Sequence, residues 1–222
     1  MKVLTPYPGV IHVIYSEQTI LAKAFMRMQE FYESAIPGFK GQQFTRDEFK
    51  KAYAEIMGTE EFTYYDDWGG FNVPGDVANK FMKLFTLDSM DEESLMKSIK
   101  QHAPWPPYKP FYVIGTFESG GDSIIDHELS HAFWHLHDDY REMMQGLVEG
   151  LPVRFRARLK RELGSMGYCE DVLDDETAAY LSTSSVLELD ELVNRTDIPW
   201  KHALAFQRAF RDYLESKSSD SQ

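Results

Sequence analysis

The sequence predicts an α+β fold in which helices dominate and a small sheet precedes the most informative helix. Two short runs rich in β-branched and aromatic residues, 10–15 and 111–117, are the strand candidates. From Ser123 onward nearly every segment has apolar residues at helical spacing. The helices predicted there lie at about 123–138, 139–149, 152–166, 172–185 and 199–216.

The first hundred residues also contain helical segments, and two of them begin at sequences typical of a capping box. Thr45 with Glu48 opens a helix that ends near Gly58, and Ser89 with Glu92 opens a second that ends near His102. Further helices are predicted at about 16–33 and 76–86. Between them, residues 62–75 form an aromatic loop that is either a lid over a site or a plug in the core.

Length and net charge limit the classes of protein to which this chain can belong. The chain has 222 residues and a net charge of −13, which disfavours binding to nucleic acid. Its regions are predicted as a mostly helical 1–103, a catalytic region 104–217 and a frayed tail 218–222, together forming one compact unit.

Three features that the sequence lacks predict where in the cell the protein is located. A single cysteine cannot form an internal disulfide, and no apolar run is long enough to span a membrane. The first residues lack the apolar core of a signal peptide. We therefore expect a cytoplasmic protein that does not bind membranes, in which the glycosylation sequon at 194–196 is irrelevant.

The residues that carry chemistry are concentrated between 124 and 137. His127-Glu128-x-x-His131 places two imidazoles four residues apart. On a helix this spacing leaves them about 40° apart in direction and about 6 Å apart in height, so both can hold one metal ion. Glu128 lies beside them, where its carboxylate can accept a proton from water activated by the metal.

The residues around this motif resemble the extended signature of the zincin metallopeptidases. Bulky aliphatic residues precede the motif, uncharged residues separate the histidines and hydrophobic residues follow. A strand, a glycine-containing turn and the motif helix also follow one another in the zincin order. The resemblance covers about residues 111–185 and implies a zincin-like fold, one zinc ion per chain and hydrolysis of a peptide bond.

A catalytic zinc site needs a third protein ligand, and four residues are candidates. His135 lies too far along a straight helix, and His137 has the metzincin spacing but lacks the metzincin glycine, with Trp134 in its place. Glu149 has a spacing common among gluzincins, but it stands at a helix break.

Glu176 is the favoured third ligand. Asp175-Glu176-x-x-Ala179-Tyr180-Leu181 resembles the helix that supplies the third ligand in several small gluzincin-like families. Those families often have an acidic residue where this chain has Tyr180, which could orient a ligand or stabilise an oxyanion.

The sequence thus predicts a gluzincin-like zinc metallopeptidase acting on a peptide or protein. His127, His131 and Glu176 are the expected metal ligands, and Glu128 and Tyr180 are the expected catalytic residues. An extended substrate could pair with the strand 111–117. The alternatives are a metal-binding regulatory or interaction protein without catalytic activity, and a protein that binds no metal.

Overall fold

The fold was obtained as a computed structural model that describes residues 1–59, 61–104, 109–192 and 200–219. The chain divides into two compact units, Met1–Ile125 and Asp126–Gln222. Helices dominate and the strands form one small sheet, so the α+β class predicted from the sequence is confirmed.

The sheet belongs to the first unit and is mixed, with the strand order β1-β2-β4-β3. Its strands are β1 Lys2–Leu4, β2 Val10–Tyr15, β3 Phe71–Pro74 and β4 Tyr112–Phe117. β2 and β4 run parallel, and the antiparallel strands β1 and β3 lie at the two edges. Both strands predicted from the sequence are present, and the two edge strands were not predicted because each has at most four residues.

β4 lies inside the sheet. Residues 112–115 pair with β2 on one side and with β3 on the other. The main-chain groups that a substrate strand would need are therefore already paired with neighbouring strands. The prediction that this strand pairs with an extended substrate is wrong.

The first unit contains five helices in its described residues. They are α1 Gln18–Glu33, α2 Arg46–Met57, α3 Tyr64–Asp67, α4 Gly75–Leu84 and α5 Met90–His102. α1 packs on the sheet, where Phe25 leaves no space for a side chain on Gly115 of β4. A Cβ atom at Gly115 would stand 2.6 Å from the Phe25 ring.

The two predicted helix starts differ in detail. Thr45 and Glu48 form a full capping box, and Gly58 ends α2 in the left-handed region at φ 65°. Ser89 also caps α5 by accepting from the Glu92 N–H, but the Glu92 carboxylate turns to the buried Arg27. A buried guanidinium requires a counter-charge, so the Glu92 carboxylate pairs with Arg27. It therefore does not accept from the Ser89 backbone N–H, as the carboxylate of a full capping box would.

The aromatic segment 62–75 fills the core of the first unit. Tyr64 and Phe71 are buried, with Phe71 stacked on Phe25 at a centroid distance of 5.6 Å and Tyr64 edge-on to Phe49 at 5.4 Å. The structure therefore favours the core plug over the lid.

The second unit is helical, and α6 enters it from the first unit. The elements are α6 Asp122–Leu136, α7 Asp138–Glu149, α8 Val153–Ser165, a short 3-10 helix Glu170–Val172, α9 Leu173–Thr183, α10 Val186–Leu192 and α11 Trp200–Ser219. α9 packs against α7, α8 and α11. This central position buries nearly every residue from Glu176 to Ser182.

Some sequence predictions fall outside the described residues. They concern the sequon at 194–196 and the last three residues of the predicted tail. The helix α11 continues into the start of that tail, to Ser219. None of the described helices is both long enough and apolar enough to cross a membrane.

A buried histidine links two central strands of the sheet. His12 of β2 is 3% exposed, and its Nε2 lies 2.8 Å from the Thr116 Oγ1 of β4. Burial lowers the pKa of His12 to about 4, and the positive charge of Lys2 contributes to the shift. The folded protein therefore holds this imidazole neutral at pH values where an unfolded chain protonates it.

We predict that the free energy of unfolding of His12→Gln falls less steeply with decreasing pH than that of the wild type. The pKa of His12 in the folded protein lies below the unfolded value of 6.5. The stability that the neutral imidazole contributes to the folded protein is therefore complete above pH 6.5 and is lost as the pH falls towards 4. Between about pH 7 and 4.5, the wild type should lose roughly 2–3 kcal/mol more unfolding free energy than the variant. Urea unfolding followed by circular dichroism measures this difference, and parallel profiles would contradict it.

Candidate metal site

Two histidines of α6 point their Nε2 atoms at one place. His127 and His131 are one helical turn apart, and their Nε2 atoms lie 3.2 Å from each other. The ring centroids are 4.8 Å apart and the rings are nearly perpendicular. The helical spacing predicted from the sequence therefore brings both imidazoles to the same point.

Glu176 of α9 faces the same point. Its Oε1 lies 3.4 Å from the His131 Nε2, and its Oε2 lies 3.6 Å from the His127 Nε2. α9 can pack closely against its neighbours because the next positions on the buried helix are the small residues Ala178 and Ala179. Among the described residues, His127, His131 and Glu176 are the one group of three whose donor atoms cluster in this way.

The spacing of these atoms can be compared with that of a zinc site. Ligand atoms bound about 2.05 Å from zinc at tetrahedral angles stand about 3.3 Å apart. Two distances from the His131 Nε2, 3.2 Å to the His127 Nε2 and 3.4 Å to the Glu176 Oε1, are close to that value. The 3.6 Å contact of His127 is made with the other carboxylate oxygen, and ligand atoms taken one from each residue lie within 4.8 Å of one another. The group is therefore compact enough to hold a metal ion.

The charges of the site also favour a cation. Glu176 is 2% exposed, and its Oε2 accepts no hydrogen bond from any residue that the structure describes. A buried carboxylate oxygen without a donor is costly unless a cation stands beside it. The donor set of two imidazoles and one carboxylate therefore fits a divalent metal ion.

His131 is held by Asp175, which is not among the predicted site residues. The His131 Nδ1 lies 2.9 Å from the Asp175 Oδ1, and this ion-pair contact holds the imidazole with its Nε2 directed at the site. Asp175 could have been identified as an acidic neighbour of Glu176 in the same motif, although sequence does not show which way it points.

Carboxylates dominate the electrostatics around His131. Burial alone would lower the pKa of His131, but Asp175, Glu176 and Glu128 outweigh burial and raise the pKa well above its usual value. Burial also raises the pKa of Asp175, against the opposing attraction of His131. The cluster thus stabilises a positive charge at the place where a metal ion would supply one.

His127 has a similar but weaker orienting contact. The Thr183 Oγ1, at the end of α9, lies 3.5 Å from the His127 Nδ1, and it also donates to the Ala179 carbonyl. Thr183 lies two turns of helix after Glu176, which places it on the same side of α9. Both histidines therefore present Nε2 to the site and Nδ1 to α9.

Glu128 and Tyr180, the two predicted catalytic residues, both border the site. Glu128 is 4% exposed, and its charge acts on both His131 and Tyr180. The Tyr180 ring packs edge-on against His127 at a centroid distance of 4.8 Å. Burial, together with the charge of Glu176, raises the pKa of Tyr180 to about 12, so its phenol keeps its proton at neutral pH.

The other third-ligand candidates lie elsewhere. His135 and Glu149 are exposed and do not belong to the cluster. His137 precedes α7 and packs against Phe133 and Tyr213. A straight α6 carries His135 away from the site, and the helix does not fold back to return His137 to it.

We predict that Asp175→Ala weakens zinc binding about 10- to 100-fold, because the His131 Nδ1 loses the carboxylate that orients the ring. Asp175→Asn should weaken binding less, because an amide oxygen still faces the His131 Nδ1. Asp174→Ala is the matched control, because Asp174 precedes Asp175 in the same helical turn but pairs with Lys160 at 2.6 Å. Competition with a chromophoric chelator measures each affinity, and equal affinities for the two alanine variants would contradict the prediction.

Neither models of protein families, nor curated proteins, nor solved structures match this chain. The resemblance to the zincins therefore rests on the residues of α6 and α9, and the zincin-like fold remains a prediction. The function proposed below accordingly depends on the geometry of this site.

Proposed function

We propose that this chain is a zinc-dependent hydrolase that cleaves peptide bonds. The observation that carries the proposal is that ligand atoms of His127, His131 and Glu176 lie within 4.8 Å of one another, while the buried Glu176 Oε2 accepts no hydrogen bond from the described residues. In this proposal Glu128 is the general base and general acid, and Tyr180 is a hydrogen-bond donor to the substrate oxygen.

Zinc is the metal of the proposed reaction, and it suits the donor set. Imidazole nitrogens and a carboxylate oxygen suit zinc, and hard cations such as magnesium and calcium prefer oxygen ligands alone. Three protein ligands leave a fourth position for water or substrate, which is the arrangement of catalytic zinc sites. Structural zinc sites more often use four protein ligands, with cysteines among them.

Glu128 moves the proton in the proposed reaction. Bound zinc would supply a Lewis acid that polarises the scissile carbonyl and acidifies water. The Glu128 carboxylate accepts one proton from the attacking water as its oxygen bonds to the carbonyl carbon. Glu128 then delivers that proton to the amide nitrogen as the C–N bond breaks, which releases an amine and a carboxylic acid. The acid passes its remaining proton to the amine, so the products are a carboxylate and an ammonium group.

In the proposed reaction, Tyr180 assists at the carbonyl oxygen. Its phenol lies beside His127 and keeps its proton at neutral pH. A neutral O–H beside the ligands can donate to the oxygen that gains negative charge during the attack. Neither role requires Tyr180 to ionise.

A second candidate function is metal binding without turnover, in a regulatory or interaction protein. The burial of the site favours it, because His127, with a side chain only 18% exposed, is the most exposed of the three proposed ligands. A closed site restricts the entry of a polypeptide and retains a bound ion. A cytoplasmic location and the absence of nucleic-acid and membrane partners remain predictions under either function.

We predict that Glu128→Gln retains zinc and loses peptide hydrolysis by about 100-fold or more, because the amide cannot accept the proton of water. Glu142→Gln, which alters an exposed glutamate of α7, is the control and should hydrolyse like the wild type. Cleavage of a fluorogenic peptide library and the zinc content are measured together. Normal turnover by Glu128→Gln would overturn the mechanism, and bound zinc without cleavage in the wild type would support the second function.

A further inference from the structure

A second tyrosine contacts the hydroxyl of Tyr180. The Tyr168 and Tyr180 hydroxyl oxygens lie 3.1 Å apart, and their rings meet edge to face at a centroid distance of 6.2 Å. Tyr180 also packs against His127, so the pair extends from the metal site to the segment that precedes α9.

The chain holds Tyr168 by a turn at the end of α8. Gly167 adopts a positive φ of 107°, a conformation that suits glycine, and so turns the chain after the helix. The Tyr168 N–H donates to the Leu163 carbonyl, which ties the turn to the last part of α8. The short 3-10 helix then leads directly into α9, so Tyr168 and Tyr180 lie on adjoining ordered segments.

Either hydroxyl can be the donor in this pair. A hydrogen bond between two phenols uses one proton and leaves the other proton for a different partner. When Tyr168 donates, the Tyr180 proton is left for a partner at the metal site, where the Tyr180 ring packs against His127. The charges of Glu176 and Glu128 favour this direction, and the charge of Glu188 also acts on Tyr180.

We propose that Tyr168 is a positioning residue that donates to the Tyr180 oxygen and so directs the Tyr180 proton at a substrate oxygen beside the metal. This inference rests on the proposed hydrolase function, because it assumes that negative charge develops on a substrate oxygen there. It assigns to Tyr168 an effect on oxyanion binding that acts entirely through Tyr180. Tyr168 has no part in holding the metal.

Binding of a small tetrahedral anion tests this role without knowledge of the natural substrate. Protein loaded with Co²⁺ is titrated with dimethylphosphinate, whose oxygens imitate those of the tetrahedral species, and binding is followed by the visible absorption of the cobalt. Thiocyanate is the control anion, because it can bind the metal without a phenolic donor. The variants are Tyr168→Phe, Tyr180→Phe and the double variant, which remove hydroxyls and keep the rings.

We expect Tyr180→Phe to weaken dimethylphosphinate binding about tenfold or more, and Tyr168→Phe to weaken it about three- to tenfold. The double variant should bind no more weakly than Tyr180→Phe, because Tyr168 acts through Tyr180. Thiocyanate affinity and Co²⁺ affinity should stay the same in all three variants, and the melting temperature should fall by no more than about 2–4 °C for each hydroxyl removed.

Several results would overturn the inference while leaving the proposed metal site intact. They are unchanged dimethylphosphinate binding in Tyr168→Phe, additive losses in the double variant, equal losses for thiocyanate, and failure of the wild type to bind dimethylphosphinate when it binds thiocyanate. Failure of the wild type to bind Co²⁺ at all would instead reject the proposed function, and this inference with it.

Discussion

The burial of the Glu176 carboxylate between helices is the constraint on which the proposed site depends. Its Oε2 accepts no hydrogen bond within the described structure, and its neighbours are the two imidazoles of α6. A carboxylate in that position needs a positive charge, supplied either by a proton on His131 or by a metal ion. The proton and the ion compete for the same nitrogen, so the fold maintains a cation site that a divalent metal can occupy.

One helix supplies most of the groups that surround the two histidines. α9 contributes Glu176 at the site, Asp175 behind His131, Thr183 behind His127 and Tyr180 against the His127 ring. α9 is packed by α7, α8 and α11, so these groups are held by a helix with little freedom to move. Rigid placement of ligands and of the groups that orient them is what metal affinity and catalysis both require.

The sequence predicts the parts of this arrangement that depend on local spacing. A separation of four residues on a helix determines how His127 and His131 converge, and the small residues after Glu176 indicate a helix that can pack closely. The roles of Asp175, Thr183 and Tyr168 could not be predicted, because they depend on how α9 is rotated against α6 and on where the turn after α8 directs the chain. The same limit applies to β3 and to the Glu92 carboxylate, whose partners are distant in the sequence, whereas β1 was not predicted because it has only three residues.

The central claim is that His127, His131 and Glu176 hold one metal ion, and the most direct measurement is the zinc content of purified protein by elemental analysis. The wild type should contain about one zinc per chain, His131→Ala and Glu176→Ala should lose it, and Glu149→Ala should retain it. A wild type that takes up no metal even when zinc is supplied would contradict the account. Zinc retained by Glu176→Ala and lost by Glu149→Ala would contradict the assignment of the third ligand.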